Sequence, residues 1–106
     1  MIHIVVHLHA VPGAEKGMRA YEKKALGIFR DYGGEVIAAF KPEPALNPKP
    51  MPDEVQILRI ASMAAFKKFM AHPKRLALAG ERERVIKKTE VFVSKPGKNP
   101  YIKKLK

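Results

Sequence analysis

The sequence contains no cysteine and no tryptophan among its 106 residues. Without cysteine the chain forms neither disulfide bonds nor thiolate metal sites, and a nucleophile would have to be a hydroxyl or a lysine amine. The absence of disulfides is typical of proteins from a reducing compartment, so we expect a cytoplasmic location.

Long hydrophobic runs are also missing. No stretch approaches the ~18 apolar residues that a membrane-spanning helix requires. The opening run MIHIVVHLHAVPG has no basic leader and no small-residue cleavage site, so we do not expect it to be a signal peptide. Because 46% of the residues are hydrophobic and the length suits one core, we expect one globular domain over residues 1–95 and no contact with membranes.

Acidic residues are few, with 10 Asp and Glu against 21 Lys and Arg. Residues 1–53 hold seven basic and six acidic side chains, whereas residues 54–106 hold fourteen and four. Five lysines and no acid occur in the last twelve residues, and we interpret residues 96–106 as a basic C-terminal tail. This asymmetry indicates either a solubilising surface or contact with an anionic partner such as nucleic acid.

The motifs that identify common enzymes are absent as well. There is no glycine-rich dinucleotide loop, no P-loop, no nucleophile elbow and no zinc-protease HExxH sequence. We interpret Phe40, Phe66, Phe69 and Phe92 as core residues rather than as a haem or flavin site, and we expect no cofactor.

The pattern of apolar residues predicts four strands and two helical regions. Residues 2–9 alternate between apolar and mixed side chains, which indicates a strand, and from Ala14 to Tyr32 the spacing becomes helical. The segments EVIAAFK, EVQILRIA and TEVFVS predict three further strands. A proline-rich loop at Pro42–Pro52 separates two of them, as a spacer or a flap, and a helical region at 62–88 is interrupted at His72-Pro73.

The order strand, helix, strand, strand, helix, strand predicts a ferredoxin-like α+β fold, with two helices on one face of a four-stranded antiparallel sheet. The even-numbered residues of the first strand are uniformly apolar and should lie under the helices. The opposite face would carry a mixture of polar and apolar side chains: His3, Val5, His7 and His9, with Val55, Ile57 and Arg59. A half-apolar open face predicts that a second copy covers it, so we expect a homodimer.

Three segments resemble the DUF1330-type small proteins of the dimeric α+β barrel superfamily. They are ILRIASMAAFKKFMAHPKRLAL, DYGGEVIAAF and TEVFVSKPG, and the resemblance extends over roughly residues 2–97. It implies two protomers that pair sheet to sheet and enclose a cavity. The wider superfamily includes cofactor-free monooxygenases, lactone isomerases and haem-degrading enzymes. Arg59 departs from the pattern, because strands of this type commonly carry a glutamate there.

Three histidines and one arginine are the candidate site residues on the open face. His7 and His9 lie about 6.5–7 Å apart on one side of a strand, where they could bind a ligand, transfer protons or pack at the dimer interface. They could also share a metal, although the sequence offers no third ligand of known geometry unless a second protomer supplies it, and we predict no metal site. Arg59 suits a carboxylate, from a small anionic metabolite or from a glutamate of the protein. His72 could reach the same ligand or cap a helix.

We therefore expect a homodimer that binds a small acidic molecule between its protomers through His3, His7, His9, Arg59 and His72. Its catalytic candidates are His7, His9 and Arg59, in a cofactor-independent monooxygenase- or isomerase-like reaction. The alternatives are a structural or regulatory dimer without catalysis, and a weak, non-specific nucleic-acid binder. The last is disfavoured because the central strands lack the aromatic residues on which bases stack.

Overall fold

The structure, a computed structural model, describes residues 1–96 and 99–101. Strands and helices follow each other in the order predicted from the sequence, with the second helical region divided into three. The elements are β1 (Ile2–Ala10), α1 (Glu15–Asp31), β2 (Glu35–Phe40), β3 (Glu54–Ile60), α2 (Met63–Met70), α3 (Pro73–Leu76), α4 (Ala79–Val85) and β4 (Ile86–Val93).

The four strands form one antiparallel sheet in the order β2-β3-β1-β4. β1 therefore lies in the centre, where Val6 is opposite Gln56 of β3 on one side and Val91 of β4 on the other. The α+β fold and the antiparallel sheet agree with the prediction from the sequence.

The helices cover one face of this sheet, as the alternation in β1 predicted. All five even-numbered residues of β1 are buried, and the α1 stripe packs against them. The core consists of the following residues: Ile2, Ile4, Val6, Leu8, Ala10, Met18, Tyr21, Ala25, Phe29, Leu58, Ile60, Phe69 and Ile86.

Helix α1 is followed by Gly33 and Gly34, and each of these positions requires glycine for a different reason. Gly33 has a φ of +80°, which L side chains rarely adopt. Gly34 has an ordinary φ, but a Cβ there would overlap the ring of Phe29. The turn therefore brings the chain so close to the core that β2 can start directly beside it.

The second helical region differs from the single interrupted helix predicted up to residue 88. Ser62 caps α2 by accepting a hydrogen bond from the Ala65 amide (3.1 Å), and α2 ends before His72, as predicted. Two short helices, α3 and α4, follow instead of one, and Leu76 of α3 is exposed. β4 begins at Ile86, three residues earlier than predicted, and Ile86 pairs with Ala10 of β1.

The proline-rich loop between β2 and β3 is anchored at its end by Asp53. The Asp53 amide donates to the Leu8 carbonyl (2.7 Å), and its carboxylate accepts from the Ala10 amide (2.8 Å). None of the helices in the described part of the chain is long and apolar enough to cross a membrane. Of the predicted basic tail, residues 97, 98 and 102–106 lie outside the described residues, and the tail stays a prediction.

Candidate functional site

The face of the sheet opposite the helices is apolar in its middle. Val5 and Ile57 are paired across the two central strands, with Phe92 of β4 opposite Val5 and Phe40 of β2 opposite Val55 in the next row. Phe40 is 48% exposed and Phe92 57% exposed, so the interpretation of both as core residues was wrong. They fall outside the core because their register places them on the uncovered face, which we call the bare face.

One end of the bare face carries a cluster of two histidines and a glutamate. His9 Nε2 lies 3.2 Å and His7 Nδ1 lies 3.8 Å from the same Glu90 oxygen, and the His7 ring contacts Phe92 edge-on. The hydrogen bond with His9 lowers the pKa of the Glu90 carboxyl. Glu90, contributed by β4, is the carboxylate partner that sequence reasoning did not identify.

The other end of the bare face carries Arg59, next to His3 in the register. Arg59 Nη2 donates to the Glu35 carboxylate at 2.8 Å, and this bond lowers the pKa of Glu35 and raises that of Arg59. His3 and His7 are four residues apart, so Arg59 and the histidine cluster are separated by about 13 Å along the strand. Within one protomer a small ligand does not touch Arg59 together with His7 and His9.

His72 lies on the helix side of the sheet and not on the bare face. Its Nδ1 accepts a hydrogen bond from the Lys74 amide (3.0 Å), which caps α3, and its ring contacts Tyr32 edge-on. Within residues 1–96 and 99–101, no group of three or more His, Cys, Asp or Glu side chains is arranged to hold a metal ion.

A cavity of about 240 Å³ lies between the sheet and the helices. Its floor is the helix-facing side of β3, β1 and β4, and α1 and α2 supply its walls. The apolar lining residues are Ile4, Val6, Leu8, Ala25, Leu26, Phe29, Leu58, Phe66, Phe69, Met70 and Val91. Of the described residues in the proline-rich loop, none lines it, so the loop is not a flap over this cavity.

One side of the cavity carries a buried polar pair. Gln56 is 1% exposed, and its amide nitrogen donates to Glu22 of α1 (2.9 Å) and to Glu54 (2.8 Å). Burial raises the pKa of the Glu22 carboxyl, against the opposing effect of the Gln56 hydrogen bond. The adjacent Tyr21 also lines the cavity, and burial raises the pKa of its hydroxyl. The Glu22 carboxyl on this side of the cavity therefore has a higher pKa than an ordinary glutamate.

The opposite side of the cavity carries two arginines. Arg75 donates to the Met70 carbonyl (3.0 Å) and lies over the Phe69 ring at 5.4 Å. Arg82 donates to the Thr89 hydroxyl at 2.8 Å. Among the described residues no carboxylate forms an ion pair with either guanidinium.

The cavity residues were missed from the sequence, although two signals for them exist. Glu22 lies four residues after Met18 and four before Leu26, so it is a charged residue within the apolar stripe of α1. Gln56 occupies the inward position two residues before Leu58 on β3. The sequence shows a polar residue at each of these two inward positions. It does not show that the two side chains contact each other.

Solved structures of similar fold come from several bacteria. A protein of unknown function from Rhodopseudomonas palustris matches with a TM-score of 0.75 and 21% identity over 92% of this chain and 83% of that chain. A dabb family protein with a ferredoxin-like fold from Mesorhizobium loti matches with a TM-score of 0.67 and 16% identity over 92% and 97%. An uncharacterised NIPSNAP domain protein from Burkholderia xenovorans matches with a TM-score of 0.68 and 13% identity over 98% and 100%.

At these identities the matches show a shared fold, and they confirm the ferredoxin-like architecture. No curated protein matches the sequence. The model of the domain of unknown function DUF1330 matches residues 3–96, which is most of the chain. The chain therefore belongs to the DUF1330 family.

Proposed function

We propose that the protein binds a small organic molecule in the cavity between its sheet and its helices, and that it does so as a homodimer. The observation that carries the first part is the Glu22–Gln56 pair, which faces a cavity whose lining is mostly apolar. Polar groups in such surroundings reduce stability unless they are paired, and ligand sites combine apolar walls with a few placed polar groups. The pair therefore suits a site for recognition better than a purely structural core.

The size of the cavity limits the ligand. An apolar cavity of about 150 Å³ is enough for benzene, so one of about 240 Å³ suits a single substituted ring or a short branched chain. Larger cofactors such as haem or flavin exceed this space. Enzymatic turnover of such a ligand, by the cofactor-independent oxygenation or isomerisation that the resemblance implies, would use Glu22 for proton transfer, because its raised pKa suits an acid–base group.

The bare face supports the homodimer. Its apolar centre, which includes Val5, Ile57 and Phe92, has no cover in the described part of the chain, and two such faces pack at about 10 Å. The charged groups at its ends are already paired within the protomer, as Arg59–Glu35 and His9–Glu90. Burial of this face would therefore leave few charges without a partner.

These pairings favour an interface role for the histidines and Arg59 over direct ligand binding. A ligand site between the protomers, formed by His3, His7, His9 and Arg59, stays a prediction. Arg59 and the His7–His9 cluster are about 13 Å apart in one protomer, so such a site requires that side chains of the partner protomer lie beside one of them.

Native mass spectrometry of the untagged protein tests both parts. We expect the mass of a dimer, with one small adduct per protomer in protein purified without denaturation. Ala25 is buried and lines the cavity, so Ala25→Phe should fill it and remove the adduct while the dimer persists. Ala20→Phe is the matched control, because Ala20 is exposed on the same helix. A monomer would refute the dimer, and an adduct that survives Ala25→Phe would refute the cavity as its site.

A further inference from the structure

The charged groups around the cavity are unequal in number and occupy different sides. Arg75 and Arg82 line it on the side of α3, α4 and β4, and Glu22 lines it on the side of β3. The lining holds two cations and one carboxylate, and the Glu54 carboxylate also accepts a hydrogen bond from Gln56. Both guanidiniums are half-buried, and among the described residues neither has a carboxylate partner, so an anionic ligand paired with them would offset the cost of their partial desolvation.

Each arginine retains N–H groups for a ligand. A guanidinium has five N–H donors in a planar fork. The structure uses one nitrogen of Arg75 for the Met70 carbonyl and one nitrogen of Arg82 for the Thr89 hydroxyl. The position of Arg75 is further held by its stacking on Phe69, so the fork is oriented before a ligand arrives.

The register of the sheet sets the distance between the two polar sides. Gln56, Val6 and Val91 form one row across the floor, and Leu8 and Thr89 belong to the next row. Thr89 is two strands away from Gln56, at about 4.8 Å per strand, and one row of about 6.7 Å along them, so the two residues are separated by roughly 12 Å, with apolar residues of β1 between them. A ligand that spans the cavity has its apolar body over β1 and its charged end near Arg82.

We infer that the ligand of this cavity is a small monocarboxylic acid with an apolar body, whose carboxylate is bound by Arg75 and Arg82. This inference rests on the proposed function. The other end of this ligand then lies beside the oxygen atoms of Glu22 and Gln56. Gln56 donates its amide hydrogens to two carboxylates, so its carbonyl oxygen and Glu22 favour a ligand with a hydroxyl group at that end.

Titration calorimetry with three probes of equal size and different charge tests the inference. The probes are benzoate, benzamide and benzyl alcohol, all of which are smaller than the cavity. We expect benzoate to bind at least about tenfold more tightly than the other two, because only a carboxylate forms charge-assisted bonds to both arginines. Amide spectra of ¹⁵N-labelled protein should show the largest changes at the cavity residues.

The variant Arg82→Gln should lose about tenfold in benzoate affinity and leave the affinity for benzyl alcohol unchanged. Arg84→Gln is the matched control, because Arg84 is exposed on the same helix and does not line the cavity. Arg75→Gln combined with Arg82→Gln should abolish the preference for the acid. Circular dichroism of each variant checks that it is folded.

The outcomes separate this inference from the proposed function. If benzamide and benzyl alcohol shift the cavity resonances as strongly as benzoate, the cavity binds small molecules but the assignment of a carboxylic acid is overturned. The same follows if Arg82→Gln binds benzoate like the unmodified protein. If none of the three probes shifts a cavity resonance at millimolar concentration, the proposed function fails, and this inference fails with it.

Discussion

Glu22 and Gln56 lie 34 residues apart and are joined by a hydrogen bond of 2.9 Å between helix α1 and strand β3. The bond lies in the wall of the cavity, whose lining is mostly apolar. The same two side chains therefore stabilise the contact between helix and sheet and also line the proposed ligand site.

The variant Gln56→Leu should destabilise the protein by about 1–3 kcal/mol at pH 7, because it leaves the Glu22 carboxylate partly buried without its donor. Equilibrium unfolding in urea measures this. The double variant Glu22→Leu/Gln56→Leu removes both polar groups and should cost less than the sum of the two single changes. Additive losses would show that the pair is not coupled.

The stability should also depend on pH through Glu22. Burial raises its pKa in the folded state, so the folded protein binds more protons than the unfolded chain above about pH 4.3, and stability falls as pH rises from there through the folded pKa. Glu22→Gln keeps an acceptor for Gln56 and removes this dependence. Its stability relative to the unmodified protein should therefore increase over that window, by up to about 1.4 kcal/mol per unit of pKa shift.

Two other carboxyls act in the opposite direction and must be separated from this effect. The pKa values of Glu35 and Glu90 are lowered by Arg59 and His9, so their contribution to stability is present above their unfolded pKa and lost as pH falls through the folded one. Glu35 is exposed and Glu90 is half-exposed. Both are present in Glu22→Gln and in the unmodified protein, so their effects cancel in the difference between the two. If the difference between Glu22→Gln and the unmodified protein does not change with pH, the raised pKa of Glu22 is refuted.

The fold was predictable from the sequence because its signals are local. The alternation through Ile2 and Leu8, the helical spacing from Met18 to Phe29 and the glycines at 33 and 34 each act over a few residues. The cavity was not predictable, because it depends on which residues meet across the fold. Arg75 and Arg82 reach it only because the second helical region breaks into three segments, and propensity does not fix the positions of those breaks.

The candidate residues of the bare face illustrate the same limit. Their shared face followed from the alternation, and the register confirms it for His3, Val5 and His7. Their pairing with Glu35 and Glu90 depends on the register of the two outer strands, which a single sequence does not determine. Sequence reasoning therefore identified the face but not the partners that neutralise its charges.

The variant Gly34→Ala should destabilise the fold by about 1–3 kcal/mol, because the added Cβ would overlap the Phe29 ring in the core. Gly27→Ala is the matched control. Gly27 lies inside α1 with open space around its Cα, so a methyl group there should stabilise the protein by about 0.5–1 kcal/mol. Thermal unfolding followed by circular dichroism compares the two. A Gly34→Ala protein as stable as the unmodified one would mean that Phe29 moves aside freely, which contradicts the packing of the core.

The bare face should form the interface of the proposed dimer. Phe92 is 57% exposed on the outer strand β4, opposite Val5 of the central strand, so Phe92→Lys should place two lysines in a two-fold symmetric interface, one from each protomer. Burial of an unpaired ammonium is strongly unfavourable, and we expect the dissociation constant to rise by about a hundredfold or more, about 2.7 kcal/mol. Sedimentation velocity at micromolar concentration should then show a monomer.

Leu46→Lys is the control, because Leu46 is 83% exposed in the proline-rich loop and a lysine there should leave the dimer intact. If Phe92→Lys sediments as the unmodified protein does, the bare face is not the dimer interface. If Leu46→Lys dissociates as well, the added charge acts through the net charge of the protein, and the position of Phe92 carries no information.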